Sequence, residues 1–238
     1  MVHYLIEFRF HGYAKRYAKK LIYDISKKFK VKGITRKKVV PHITLFGPFT
    51  TKNEKKMIYE VANVAKKYSF VSFVIKGFNY FNNPGNKVIY LDIEPSEELK
   101  QLRYELANNL KKISSSKSSQ DRKGKDKFYF HATIAFKDID RKFDRIWRYI
   151  KNKEEPNIQQ YLLRITILKG RRILREYDLM QKRLLNRKQA LSHQLFLKTV
   201  NILKQKEKSK FFEEEPEIYV KKQISFWKKL KYIFRISK

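Results

Sequence analysis

One four-residue unit, histidine–apolar–threonine–apolar, occurs twice in this chain: "HITL" at residues 42–45 and "HATI" at 131–134, 89 positions apart. Each copy lies inside an apolar run, "VVPHITLF" and "FYFHATIAF", that reads as a strand. Alternate side chains of a strand share a face. His42 and Thr44 therefore point one way, and Ile43 and Leu45 the other. His131 and Thr133 stand in the same relation to Ala132 and Ile134. Each strand thus sets an imidazole beside a hydroxyl on an otherwise apolar surface. Average residue usage gives a histidine that context about once in fifty. Two copies among five histidines are a coincidence of order a few per thousand. A single copy would read as an ordinary strand histidine. His3, His11 and His193 lack the pattern and read as structural or surface residues.

The surroundings of the two copies also correspond. "VHYLIEFRF" alternates and reads as a strand. Residues 13–30 have helical spacing through Tyr17, Leu21, Ile25 and Phe29. A basic loop leads to the first histidine strand, and a second helix over 53–68 follows, with Asn53 as N-cap. "SFVSFVIKGFNYF" and "VIYLDIE" read as strands around the turn "FNNPGNK". Ser96 opens a third helix, and 114–127 is a polar, charged loop read as mobile. The second histidine strand is followed by a helix over 140–151. "QYLLRITIL" and "RILREYDL" then form a closing hairpin with Gly170 in its turn.

The order to Met180 is β-α-β-α-β-β-α-β-α-β-β, an α+β pattern with antiparallel pairs. Each histidine strand follows a helix by way of a basic loop and precedes another helix. This predicts a duplicated lobe: two pseudo-symmetric lobes of antiparallel sheet in residues 1–180, helices outside, with a central cleft where the histidine strands face each other. Residues 181–238 read as a basic, mostly helical C-terminal extension. Residues 182–205 suggest one long helix with Leu184, Leu191, Leu195 and Ile202 near one face. A charged break follows. Residues 224–238 then form a short amphipathic helix gathering Phe226, Trp227, Leu230, Ile233 and Phe234, with lysines opposite. That face suits an anionic membrane surface; packing against the domain is the plainer alternative.

Cysteine is absent, which excludes disulfides, thiol catalysis and cysteine-ligated zinc. The N-terminus has no basic leader region, and Glu7 and Arg9 interrupt its apolar run. No stretch approaches the length of a membrane-spanning helix. A cytoplasmic monomer is the expectation. The net charge is +33, from 56 basic and 23 acidic side chains. Residues 181–238 hold 16 basic and 5 acidic groups, so the excess is spread along the whole chain. Such an excess favours a polyanionic partner, RNA above all, although a uniformly lysine-rich surface would look the same.

Two facing strands of this kind would collect two imidazoles and two hydroxyls, a set suited to in-line attack at phosphorus. One imidazole takes a proton from the attacking hydroxyl and the other gives one to the departing oxygen. Threonine hydroxyls can donate to the non-bridging phosphate oxygens, where the transition state redistributes charge. Neither a metal nor another cofactor is required. "HITL" and "HATI", with the element order and the ending "REYDL", resemble the HxTx signature of the 2H phosphoesterase superfamily. The likeness is greatest to its 2′-5′ RNA ligase-like, RNA 2′,3′-cyclic phosphodiesterase branch, and it covers about residues 1–180. The resemblance implies a two-lobed fold with a central cleft. It also implies ATP- and metal-independent hydrolysis of RNA 2′,3′-cyclic phosphate ends to 2′-phosphates, with reverse 2′-5′ ligation as an accompanying activity. By position, His42 and His131 would be the acid–base pair, and Thr44 and Thr133 would hold the phosphate.

Two other readings compete. One is an RNA-binding module with the same basic cleft and little turnover, motivated by the basic tail and by Arg122, Lys123 and Lys125. The other is metal-assisted hydrolysis with His42 and His131 as ligands. Threonines accompany these histidines, where carboxylates or further histidines would complete a ligand set.

Overall fold

The computed structural model describes residues 2–33, 35 and 40–213, with side chains to residue 206. Ten strands and six helices follow one another in that span. They are β1 (Tyr4–Arg9), α1 (Gly12–Phe29), β2 (His42–Thr50), α2 (Glu54–Ala65), β3 (Val71–Phe81), β4 (Val88–Pro95), α3 (Glu97–Leu110) and β5 (Ser115–Ser116). Next come β6 (His131–Phe136), α4 (Phe143–Lys151), β7 (Asn157–Leu162), β8 (Arg164–Lys169), β9 (Arg172–Asp178), β10 (Arg183–Leu185), α5 (Arg187–Ala190) and α6 (His193–Glu213). The fold is α+β, with every strand pair antiparallel.

Two sheets carry the molecule. One has six strands in the order β10-β9-β8-β1-β2-β5, and the other four in the order β6-β4-β3-β7. One apolar core spans both. It takes Ile6, Phe8, Ile43 and Leu45 from the first sheet and Phe73, Ile75, Leu91 and Ile134 from the second. Phe8 meets Phe73 edge-on, with ring centres 5.6 Å apart. Helix α1 buries Ala14, Ala18, Leu21, Ile22, Ile25 and Phe29, a stripe at helical spacing. The Asn53 side chain accepts from the Lys56 amide at 2.9 Å and caps α2. Ser96 does the same for α3 through the Leu99 amide.

Three expectations change. The run "QYLLRITIL" is not one strand: it ends β7 in the second sheet and supplies most of β8 in the first, with Leu163 alone between them. Residues 182–205 are not one helix. Arg183–Leu185 pairs with β9, and Asn186 then opens α5 with a reciprocal capping box to Gln189. Ser192 accepts from the Leu195 amide at the start of α6. The third is the 114–127 loop, which is pinned rather than loose. Its Asp121 is buried and accepts from the Gly47 amide at 3.0 Å and from the Ser116 hydroxyl. Arg103 of α3, fully buried, donates to the carbonyls of Gln120 and Lys123 at 2.6 and 3.1 Å. Its guanidinium also lies 3.8 Å from the Phe128 ring centre.

The loop ahead of β2 is tied in a comparable way. The Asp138 carboxylate, just past β6, accepts from the amides of Lys32 and Gly33 at 2.7 and 2.8 Å. Gly33 sits so close to β6 that a Cβ there would lie 2.1 Å from the Phe136 carbonyl oxygen. Only glycine fits that approach. No described helix is long and apolar enough to cross a membrane. The amphipathic segment 224–238, with its expected membrane contact, lies outside the described residues.

Candidate active site

The units β1-α1-β2 and β4-α3-β6 are built alike. In each, two antiparallel neighbours are joined through a helix, and the second strand begins on a histidine. Arg9 pairs with His42 and Glu7 with Thr44; Asp92 pairs with His131 and Tyr90 with Thr133. One step further both ladders slip. Ile6 faces Phe46 and Ile89 faces Ala135, so Leu45 and Ile134 are the extra residues of two matching bulges. Both extra residues are buried in the core. The four motif residues alternate half-buried and buried in each copy, as the strand period requires.

The imidazoles are held in the same manner. His42 Nδ1 lies 2.8 Å from the carbonyl oxygen of Val40, and His131 Nδ1 lies 3.0 Å from that of Tyr129. Each partner is two residues upstream. A carbonyl oxygen only accepts, so the proton sits on Nδ1 and the neutral ring presents a bare Nε2. The hydroxyls of Thr44 and Thr133 are half-buried, and neither is hydrogen-bonded to a described residue. Strands β2 and β6 lie next to each other although they belong to different sheets. The four motif side chains are thereby brought to one junction, where the charge of His42 is felt at His131.

The environments differ. Burial pushes His131 below its ordinary 6.5, and the neighbouring His42 charge adds to the effect. The Tyr129 carbonyl and the Asp92 carboxylate oppose it. Aromatic rings wall His131: Phe81 stands edge-on at 5.0 Å and Tyr90 lies at 5.2 Å. Burial, with the Asp92 charge behind it, pushes the Tyr90 hydroxyl up to about 12, so it stays a neutral donor. His42 instead has a carboxylate beside it. Glu7 is only 2% exposed, and its Oε2 lies 3.7 Å from His42 Nε2. Its Oε1 accepts from Arg9 Nε at 2.6 Å.

Glu7 and Arg9 are site residues the motif does not announce. Their one sequence signal is the alternation of "YLIEFR", which puts both on the polar face of β1. That face continues across the sheet, because Thr44, Glu7, Thr166 and Glu176 stand in one row. Thr166 donates to Glu176 at 2.6 Å, and Arg164 bonds Asp178, Glu176 and Thr199 of α6. Of the remaining histidines, His11 is buried and bonded to the Tyr161 carbonyl at 3.0 Å. Among the described residues no group of three or more histidine, aspartate or glutamate side chains is placed to hold a metal ion.

Comparison with known proteins places this geometry. Residues 22–172, more than half of the chain, match the 2′-5′ RNA ligase superfamily. No curated protein matches the chain. Among solved structures, Usb1 of Kluyveromyces marxianus with uridine monophosphate superposes with a TM-score of 0.44 at 11% identity, over 72% of this chain and 96% of that one. A second structure of the same Usb1 gives 0.43 and 10%, over 72% and 95%. Likeness at that level says nothing about activity. The family match covers more than half of the chain and takes in both histidine strands, and on that ground this chain belongs to the 2′-5′ RNA ligase superfamily, within the 2H phosphoesterases.

Proposed function

We propose that the chain is an RNA phosphodiesterase that opens 2′,3′-cyclic phosphate ends to 2′-phosphates, with His42 and His131 as acid and base. The observation that carries this reading is the pair of matching half-sites: two imidazoles, each fixed through Nδ1 to a carbonyl two residues upstream, each with a free threonine hydroxyl beside it. The charge of +33 suits a polyanionic substrate.

The surroundings divide the labour. His131, walled by rings and held below 6.5, is kept neutral and takes the proton of the attacking water at Nε2. His42, with the Glu7 carboxylate 3.7 Å from its Nε2, is the residue assigned the donor role. The water oxygen bonds to phosphorus, the bond from phosphorus to O3′ breaks, and the His42 proton goes to O3′. Thr44 and Thr133 donate to the non-bridging oxygens. With a 5′-hydroxyl in place of water the same attack joins O5′ to phosphorus as O3′ leaves, which gives a 2′-5′ linkage and is the ligation.

Purified protein with a cyclic-phosphate oligonucleotide and EDTA should release a 2′-phosphate. His42→Ala and His131→Ala should each slow turnover roughly 10²–10⁴-fold. Full activity in either variant overturns the assignment. Because a lowered pKa keeps the base form to lower pH, the acid limb of kcat/KM should fall below pH 6.5. Salt-sensitive binding with no turnover would favour the RNA-binding module instead.

A further inference from the structure

The residues opposite the two histidines carry opposite charge. Arg9 faces His42 on β1, and Asp92 faces His131 on β4. Directly opposed residues share a face, with Cβ atoms about 5 Å apart. Since β2 and β6 meet at the junction, β1 and β4 each lie one strand further out. Arg9 and Asp92 therefore flank the histidine pair on opposite sides. A phosphate reacting between the histidines has a cation beyond one of them and an anion beyond the other.

Arg9 is also held ready. Its Nε is committed to Glu7 Oε1 at 2.6 Å, which removes much of the freedom of a long side chain. Its side chain is 23% exposed against 2% for Glu7. No described residue hydrogen-bonds its two terminal nitrogens. Glu176 lies within its field from β9. A buried carboxylate thus orients a guanidinium whose outer edge is open, the geometry that suits a phosphate.

We propose that Arg9, clamped by Glu7, anchors the phosphodiester next to the reacting phosphate, so that the substrate chain leaves the site over β1. On the β4 side Asp92 repels a second phosphate, while the half-buried Phe81 and the exposed Tyr129 offer ring faces and edges to an uncharged nucleoside. The anchor rests on the proposed function, and it adds a preference: substrates with at least two phosphates over a lone cyclic nucleotide.

The test compares three substrates on the full chain: a nucleoside 2′,3′-cyclic phosphate, a dinucleotide with the same cyclic end, and that dinucleotide with a neutral methylphosphonate linkage. The parent should prefer the charged dinucleotide over both others. Arg9→Gln should lower that preference about tenfold or more, chiefly through KM, and Arg9→Lys should retain part of it. Equal losses on all three substrates, or a parent indifferent to methylphosphonate, overturn the anchor and leave Arg9 as a counter-ion of Glu7. Should Arg9→Gln fold poorly with Glu7 unpaired, the double variant Glu7→Gln/Arg9→Gln reads the same ratio without the stranded charge. Binding separates this inference from the reading it rests on. If the parent turns over no substrate, the proposed function fails. A fluorescent oligonucleotide ending in a phosphate still reports the anchor, by a salt dependence shallower by about one phosphate contact in Arg9→Gln. An unaltered salt dependence overturns it.

Discussion

Opposite His42 the neighbouring strand carries Arg9 and then Glu7; opposite His131 it carries Asp92 and then Tyr90. The backbone of the two halves repeats, down to the carbonyl that holds each ring and the bulge that follows each threonine. Symmetric backbone sets two equivalent imidazoles in place. Cross-strand neighbours then make them inequivalent, which a reaction with one proton donor and one acceptor requires. The loops that lead into the histidine strands show the same mix. Each is fastened by an aspartate to the opposite half: Asp121 onto Gly47 of β2, and Asp138 from beyond β6 onto Lys32 and Gly33. One fastening is buried and the other exposed.

That difference sets the largest expected effect on stability. Arg103 is fully buried, and burial lowers it to about 10. It supports the Asp121 tie through two loop carbonyls and an ion pair of 3.8 Å. Arg103→Met strands those carbonyls and leaves the Asp121 carboxylate, already raised by burial, without a cation. The loss of stability should be about 3–5 kcal/mol, read from urea midpoints. Arg103→Met/Asp121→Asn should recover part of it, because no lone charge remains. If the single variant is as stable as the parent, the loop ahead of β6 is not held by this pair, and the two halves differ less than the geometry implies.

Much of this was legible in the sequence, and the failures have physical causes. The alternation of "HITL" and "HATI" gives which face each side chain takes, because the strand period admits one answer. "QYLLRITIL" hides its break because both of its strands are buried where they meet. With no glycine, proline or turn between them, and with the single charge there, Arg164, itself buried, a change of sheet at Leu163 leaves no periodic trace. Over 182–205 the leucines fit a helix, yet Asn186 with Gln189 three residues on is a helix start, and it marks where the strand before it ends. The 114–127 loop reads as solvated from composition alone. The contrary signal lies elsewhere in the chain. Arg103 falls between Leu99 and Leu106 on the apolar face of α3, and a buried arginine needs acceptors.

A joint between the sheets gives the next effect in size. His11, just past β1, contacts the Tyr161 carbonyl and the Gln160 side chain of β7. Burial lowers its imidazole from 6.5 to about 4. Between those values the unfolded chain takes up a proton that the folded chain refuses. Stability from this group is therefore full above pH 6.5 and is lost as pH falls. Measured against His11→Gln, the advantage of the parent should shrink by about 3 kcal/mol between pH 7 and pH 4. A difference independent of pH would show that His11 takes up its proton as readily in the fold as in the unfolded chain, and that the joint tolerates charge.

The smallest effect belongs to the exposed fastening. Asp138→Ala removes a carboxylate from two backbone amides, Lys32 and Gly33, in a place where water can replace it. The expected loss is about 1 kcal/mol or less. The local readout should be sharper than the global one. Hydrogen exchange at those two amides should quicken while the amides of β2 and β6 keep their protection, since the ladders do not depend on the loop. A loss as large as that of Arg103→Met would mean that both crossed ties are structural in equal measure. Asymmetry would then be confined to the residues around the imidazoles, and the loops would share the symmetry of the backbone.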